Sequence, residues 1–467
     1  MRMARASGMD LMTHDETVPA SVGIVADDLT GANDSAVQFA RAGWIARLAL
    51  GDIANVGGAG ATGRRDSGSV VAIVTDARAQ SPRDAHESTV AAVAALADSG
   101  VGRLFVKIDS TMRGSVAQQV AGALEGWQDV HPLAFAVVCP AYPAMGRTVE
   151  GGRLLVDGAP VETTSIGRDP VTPVATSSLS ALLPGTTRIT AAPKDAAALA
   201  ARITGRAEAG ALVITVDAET GDDLALIADA IALIGPRAVP VGSAGLAVEM
   251  SRVWGEGLAA PEPEVATPDG PRRVVVVVSS LHDVSRGQHA HLVESSASGL
   301  LLESVQTIAP SLDELLNDGL PGFLDQEFAA FTDAEPAPVI VVLAPAQRPV
   351  DEEQPGASAV RPTAAERIAA GLATITDQVI GRLGTGSLVL MGGEGARAVL
   401  ARFGADSILV RDAIREGIPI GIIEGGRLHG LPVVTKAGGF GARSVLTEIV
   451  PDLLNDYALN PTQGDNA

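Results

Sequence analysis

Short apolar runs rich in valine, isoleucine and leucine alternate along this chain with alanine-rich stretches at helical spacing, and that alternation leaves few folds open. In the first half the runs fall at residues 22–26, 70–75, 104–108, 133–138 and 212–216, a mostly parallel α/β pattern. A second such pattern opens at 273–280, continues through 339–343 and ends with 387–391, 418–423 and 432–436. Between the two, composition shifts to Gly, Pro, Glu and Ala, and Pro261, Pro263, Pro268 and Pro271 prevent regular pairing. The expected architecture is α/β in two domains, each a mostly parallel or mixed sheet flanked by helices, with a cleft between them. The boundaries follow: a frayed leader at 1–20, an N-terminal domain at 21–254, a linker at 255–271 and a C-terminal domain at 272–460. A length of 467 residues with 46% apolar content suffices for such cores.

Charge and cysteine usage narrow the function. Lys plus Arg number 34 against 55 acids, a net charge of -21, which argues against nucleic acid or an anionic membrane as the main partner. An anionic ligand must therefore be held by local basic groups. Cys139 is the only cysteine, so no intrachain disulfide or cysteine-based zinc site can form, which suits a reducing compartment. No apolar run reaches the roughly 18 residues that span a bilayer. The first twenty residues carry Arg2 and Arg5 but no apolar core of a signal peptide, and the expected location is cytoplasmic.

Polar clusters sit where the strand runs end. Asp27-Asp28-Leu29-Thr30-Gly31-Ala32-Asn33-Asp34 follows the first run; with residues 35–42 read as a helix, this segment falls on a turn at the carboxyl end of a strand, where open α/β sheets bind ligands. Two adjacent aspartates repel and desolvate each other unless a substrate hydroxyl, a magnesium ion or a helix amino terminus comes near. Lys107-Ile108-Asp109-Ser110-Thr111-Met112-Arg113-Gly114 complements it. Lys107 and Arg113 suit a carboxylate or phosphate, while Asp109, Ser110 and Thr111 suit sugar hydroxyls. The competing reading is a capped helix start with a surface ion pair. Thr75-Asp76-Ala77-Arg78 also closes a strand, and Arg78 is equally compatible with a surface arginine. In the loop 139–148, Arg147 has the reach for an anion, although the prolines fit a stiff connector as well. Ser81-Pro82 with Asp84 predicts a helix start, Gly100 its stop, and Asp157-Gly158 a hairpin over 154–161.

In the second half, Met391-Gly392-Gly393-Glu394-Gly395-Ala396-Arg397 lies between a strand and a helix starting at Ala396, and Lys436-Ala437-Gly438-Gly439-Phe440-Gly441 has the same form. Such glycine turns let a phosphate approach backbone N–H groups at a helix amino end. Gly242-Ser243-Ala244-Gly245 is a weaker copy. Gly58 to Gly63 matches the dinucleotide fingerprint by letter, but Arg64, Arg65 and Asp66 follow where an apolar helix face should begin. The turn at Gly393 fits the looser form, which keeps a nicotinamide-dependent oxidoreductase as a rival. No glycine is followed by lysine, so there is no Walker A motif. His282, His289 and His291 match no metal spacing and read as surface or capping residues; no resident metal site is expected. The loops 55–69 and 345–362 are lids or solvated insertions.

DDLTGAND, TDAR, KIDSTMRG, CPAYPAMGRTVEGG, GSAGLA, GGEGA and KAGGFG, in that order over about nine tenths of the chain, resemble the four-carbon acid sugar kinases. The resemblance implies an N-terminal domain for a tetronate-type acid and a C-terminal domain for ATP. It also implies phosphorylation of the 4-hydroxyl of threonate, erythronate or 3-oxo-tetronate. Carried over by motif, Asp27, Asp28, Arg78, Lys107, Asp109, Ser110, Thr111 and Arg113, with Arg147, bind the acid. Ser280, Gly392, Gly393, Glu394, Gly395, Gly438 and Gly439 contact the nucleotide. The chain departs from the family pattern at Ser279-Ser280 (usually Gly-Ser), His282-Asp283 (usually Ser-Pro), Gly395 (usually Thr) and Ala442 (often Asp), all in the ATP half. The implied mechanism pairs the substrate carboxylate with Arg78 or Arg113. Asp28 deprotonates the hydroxyl, Asp109 completes the catalytic set, and Lys107 and Mg²⁺ offset phosphoryl charge while the domains close. A sugar-acid sensor without turnover is the non-catalytic alternative, and a homodimer is the default assembly.

Overall fold

The computed structural model describes residues 21–51, 68–169, 172–189, 194–258, 273–301, 303–317, 319–329, 337–347, 363–415 and 417–455. The expected leader, most of the linker, the fingerprint-like segment from Gly58 to Asp66 and most of the two long loops lie outside the described residues.

The N-terminal half runs β1 (Val22–Ala26), α1 (Leu29–Arg41), β2 (Ile45–Ala49), β3 (Ser69–Val74), α2 (Pro82–Asp98), β4 (Arg103–Lys107), α3 (Val116–Gln128) and β5 (Phe135–Cys139). A small antiparallel outgrowth follows, β6 (Arg147–Glu150), β7 (Arg153–Val156) and β8 (Ala159–Pro160). The half closes with α4 (Leu179–Leu182), β9 (Thr187–Ile189), α5 (Ala196–Glu208), β10 (Val213–Val216), α6 (Gly221–Ile234), β11 (Ala238–Gly242) and α7 (Ala244–Trp254). The C-terminal half contains β12 (Val274–Val278), α8 (Asp283–Ala297), β13 (Val305–Ile308), α9 (Leu312–Leu316), α10 (Leu320–Ala329), β14 (Val339–Leu343), α11 (Ala364–Leu383), β15 (Ser387–Met391) and α12 (Gly393–Phe403). It ends with β16 (Ser407–Arg415), β17 (Ile418–Glu424), β18 (Pro432–Lys436) and α13 (Val445–Leu454).

Strands such as β1, β5 and β12 are buried at every residue, which is why their sequences show no polar alternation: helices cover both faces. Fifteen strands form one sheet in the order β13-β14-β12-β15-β18-β17-β16-β2-β3-β1-β4-β11-β5-β10-β9. The two halves are therefore joined edge to edge, where β2 pairs antiparallel with β16, Ala46 opposite Val410 and Ala49 opposite Ser407. Ion pairs from Arg41 to Asp412 at 2.7 Å and from Arg47 to Glu424 at 2.9 Å lie across the same seam. Among the described residues no helix is long and apolar enough to cross a membrane.

Several local expectations shift. The helix expected over 35–42 starts six residues earlier, at Leu29, because the Asp28 side chain accepts the Gly31 N–H at 2.7 Å and caps it. Thr30, Asn33 and Asp34 thus occupy its first turns, not a loop. The helix expected from Ala396 likewise starts at Gly393. Leu133 and Leu212 precede their strands and are exposed, since apolar identity alone does not place a residue inside. The hairpin turn has positive φ at both Asp157 (50°) and Gly158 (77°), as a primed turn requires.

Candidate active site

β1 stands between β3 and β4 with Ala26 opposite Val74 on one side and Lys107 on the other. That register delivers three loops to one sheet end. Asp27 is fully buried and accepts two bonds from Arg78, Nε to Oδ2 at 2.8 Å and Nη2 to Oδ1 at 3.0 Å. The remaining nitrogen, Nη1, donates to Asp28 Oδ2 at 2.7 Å. One guanidinium is thus the positive partner that adjacent aspartates need. Asp109 receives Arg113 Nε at 3.0 Å and Nη2 at 2.8 Å, the Thr111 N–H at 3.1 Å and the Thr111 hydroxyl. Lys107 Nζ, buried, donates to the Ile108 carbonyl at 2.9 Å.

Burial works to raise the Asp109 carboxyl, but Arg78 and Arg113, helped by the Thr111 hydroxyl, hold it well below the usual carboxylate range. Burial also works against the charge on Arg78, yet Asp27, Asp28 and Asp109 outweigh it and keep that guanidinium firmly protonated. Burial pushes the Asp27 carboxyl up, with Arg78 opposing. Of the three aspartates, Asp28 keeps the most exposed side chain, 26% against 0% for Asp27 and 9% for Asp109.

The C-terminal half is built differently. Val278 pairs with Met391 and Met391 with Lys436, so the ends of β12, β15 and β18 are neighbours. Gly392, at φ 108°, caps α12. A Cβ on Gly395 would overlap the side chain of Ser279, and one on Gly438 would overlap Ser280 Oγ, so both glycines are fixed by close approach. Lys436 Nζ donates to the carbonyls of Ala437 and Phe440, each at 2.6 Å. Ser285 Oγ donates to the Gly438 carbonyl at 2.6 Å, and Gln288 Nε2 to Phe440, Gly441 and Ala442 carbonyls between 2.9 and 3.1 Å. With its carbonyls tied back in this way, the turn presents a fixed shape to a ligand. Burial lowers the Lys436 ammonium to about 8. Burial raises the Glu394 carboxyl, and Glu366 and Asp76 add to the shift.

Three chambers connect these clusters. One of about 370 Å³ has apolar walls at Leu281, Ile368 and Leu372 beside Ser280 and the turn from Gly392 to Gly395. A central cleft of about 920 Å³ is lined by Asp28, Arg78 and Arg113 from one half and by Gly393, Glu394 and Gly438 from the other. A third, of about 430 Å³, contains Lys107, Asp109, Ser110 and Arg113 facing His282 and Gly439. Gly393 and Gly438 line the first two and Asp28, Arg78 and Arg113 the last two, so the three chambers adjoin.

Most of the residues expected at the site meet in it, including Asp27, Ser280 and Gly395; Thr111 sits behind, holding Asp109. Arg147 does not reach these chambers: β6 pairs with β7, carrying it into the outgrowth, where it donates to the Met145 carbonyl. Its loop supplies Tyr142 instead. Asp169 was missed. It lies 3.5 Å from Arg113 Nη1 and lines two chambers, but it ends a short 3₁₀ turn with no strand before it to mark it in the sequence. His282 caps α8, its Nδ1 accepting the Val284 N–H at 3.2 Å, in line with the capping reading, and it also faces the third chamber. Among the described residues no group of three or more His, Cys, Asp or Glu is arranged to hold a metal ion alone.

A family model described as a sugar-binding N-terminal domain matches residues 22–250, and one described as a nucleotide-binding C-terminal domain matches residues 275–446. A D-threonate kinase of Bordetella bronchiseptica is 38% identical over 91% of this chain and 95% of its own length. A D-erythronate kinase of Heliobacterium modesticaldum is 27% identical over 93% of this chain and 97% of its own. The crystal structure of a Haemophilus influenzae protein, 19% identical, covers 91% of this chain and 98% of its own with a TM-score of 0.64, a likeness of fold.

Proposed function

Because this chain belongs to the four-carbon acid sugar kinase family and is a carbohydrate-acid kinase, we propose that it transfers the γ-phosphoryl group of ATP to the 4-hydroxyl of a four-carbon sugar acid. The observation that carries this reading is the central cleft, ionic on one wall and glycine-turned on the other. D-threonate is the first acid to test, since the relative at 38% identity acts on it; erythronate and 3-oxo-tetronate follow. The break at 255–271 is part of the same proposal and is supported by family matches that stop at 250 and resume at 275. A cytoplasmic setting is supported by the lone Cys139, whose thiol burial pushes up to about 12 and so leaves unreactive.

The acid's carboxylate binds Arg113 at Nη1, the guanidinium nitrogen with the loosest internal partner, Asp169 at 3.5 Å. Arg78 stays committed to Asp27 and Asp28 and sets their position. Asp28, the most exposed of the three aspartates, accepts the 4-hydroxyl proton, and Lys107 offsets charge on the transferred group. Asp109 is too strongly held by its arginines to take a proton and acts by fixing Arg113. Ser280, Gly392, Gly393, Gly395, Gly438 and Gly439 cradle the nucleotide phosphates. Mg²⁺ fits a site of one carboxylate completed by phosphate and water. Glu394 is suited to hold it, because the burial and acidic neighbours that raise its carboxyl are relieved by a dication, which when bound neutralises phosphate charge.

ADP release over a panel of four-carbon acids with ATP and Mg²⁺ tests the reading; no turnover with any of them would reject it. Asp28→Asn should lower kcat by about 10²- to 10⁴-fold while acid binding persists. Near-normal turnover in that variant would remove Asp28 as the base.

A further inference from the structure

On the strength of the kinase reading, we propose that His282 donates a hydrogen bond from Nε2 to the phosphoryl group as it crosses between the two halves. In the step concerned, the 4-hydroxyl oxygen bonds to the γ-phosphorus as the bond to the β,γ-bridging oxygen breaks. The hydroxyl proton passes to Asp28 and ADP leaves. Four observations converge on His282. Its ring lies against the glycine turn, since a Cβ built on Gly439 would stand 3.0 Å from Nε2. Nδ1 already accepts the Val284 N–H at 3.2 Å, so in the neutral ring the proton belongs on Nε2, the nitrogen on the Gly439 side. The nucleotide half contributes His282, Ala437, Gly439 and Phe440 to the acid chamber, and of these only His282 has a side chain that can donate a hydrogen bond. Capping alone does not account for an imidazole, because Ser, Asp or Asn serve that role better.

The substitution that separates the two roles is His282→Ser, whose shorter side chain keeps a capping oxygen on the Val284 side but takes away the donor at the Nε2 position beside Gly439. We expect its Tm to match wild type while kcat falls about 100-fold, the scale of one lost transition-state donor. KM for the acid should stay within roughly three-fold. His282→Ala should show the same kcat loss together with a lower Tm. A serine variant with wild-type kcat overturns the proposal, as does a kcat loss that follows Tm across the two variants. A wild-type enzyme inactive with every acid would strike the kinase reading itself; an active wild type with an unaffected serine variant strikes only His282.

Discussion

The two walls of the cleft are built by opposite means. The acid wall uses side chains: Asp27, Asp28 and Asp109 are interlocked with Arg78 and Arg113, and Lys107 is buried beside them. The nucleotide wall uses backbone: Gly392, Gly395 and Gly438 remove side chains so that the main chain and Ser280 can come close. An ionic lattice depends on every member, because a buried charge that loses its partner is costly. A backbone cradle depends on empty space. Damage should therefore spread through the fold on the first wall and remain local on the second.

Arg78→Met is the harshest test of that contrast. It leaves Asp27 fully buried without its two charged bonds, and the expected loss is about 3–5 kcal/mol of folding stability. Urea unfolding measures it. A loss under about 1 kcal/mol would mean that Asp27 simply takes a proton, a route that burial favours, and that the acid wall is less interlocked than its geometry suggests.

Gly395→Thr probes the other wall. The new side chain would collide with Ser279, whose hydroxyl donates to the Met391 carbonyl at 2.9 Å, and overpacking of this kind costs about 1–3 kcal/mol. We expect ATP affinity to drop while acid binding holds, read by calorimetry with each ligand. The double variant Ser279→Gly with Gly395→Thr should recover ATP binding, because Ser279 and Gly395 fill one space between them. Two of the sequence's departures from the family pattern are then one compensated exchange. If the single variant binds ATP as wild type does, the walls are equally tolerant and the contrast fails.

How much of this was legible in the sequence depended on range. Apolar runs marked the strands, and Asp27 and Lys107 stood out because each directly follows or ends one, a relation carried within a few residues, whereas Arg78, four residues past its strand, was equally compatible with a surface arginine. At Asp28 the sequence offers a helix amino terminus as one partner among three, and the helix it caps begins at Leu29, six residues before the apolar spacing marks one. The β2–β16 seam had no signal, since its partners are more than 350 residues apart and edge pairing is set by backbone geometry. Asp169 and the diversion of Arg147 were likewise decided by where irregular chain and an antiparallel outgrowth are folded back.

The mildest expected effect separates the walls by pH. For Asp109 the folded carboxyl lies below its unfolded value, so its contribution to stability is present above the unfolded value and fades as pH falls toward the folded one: the acid wall weakens in acid. For Lys436 the folded ammonium titrates near 8 against an ordinary 10.5, so between those values the unfolded chain binds more protons and this group makes folding more favourable as pH rises. The same deprotonation takes away the charge with which Lys436 grips the carbonyls of Ala437 and Phe440. Above pH 8, KM for ATP should therefore climb a few-fold while Tm does not fall on this account and KM for the acid is flat. Lys436→Met should raise KM for ATP already at pH 7 and abolish the step. A step that persists in the methionine variant would assign it to another group and leave the glycine turn held by Ser285 and Gln288 alone.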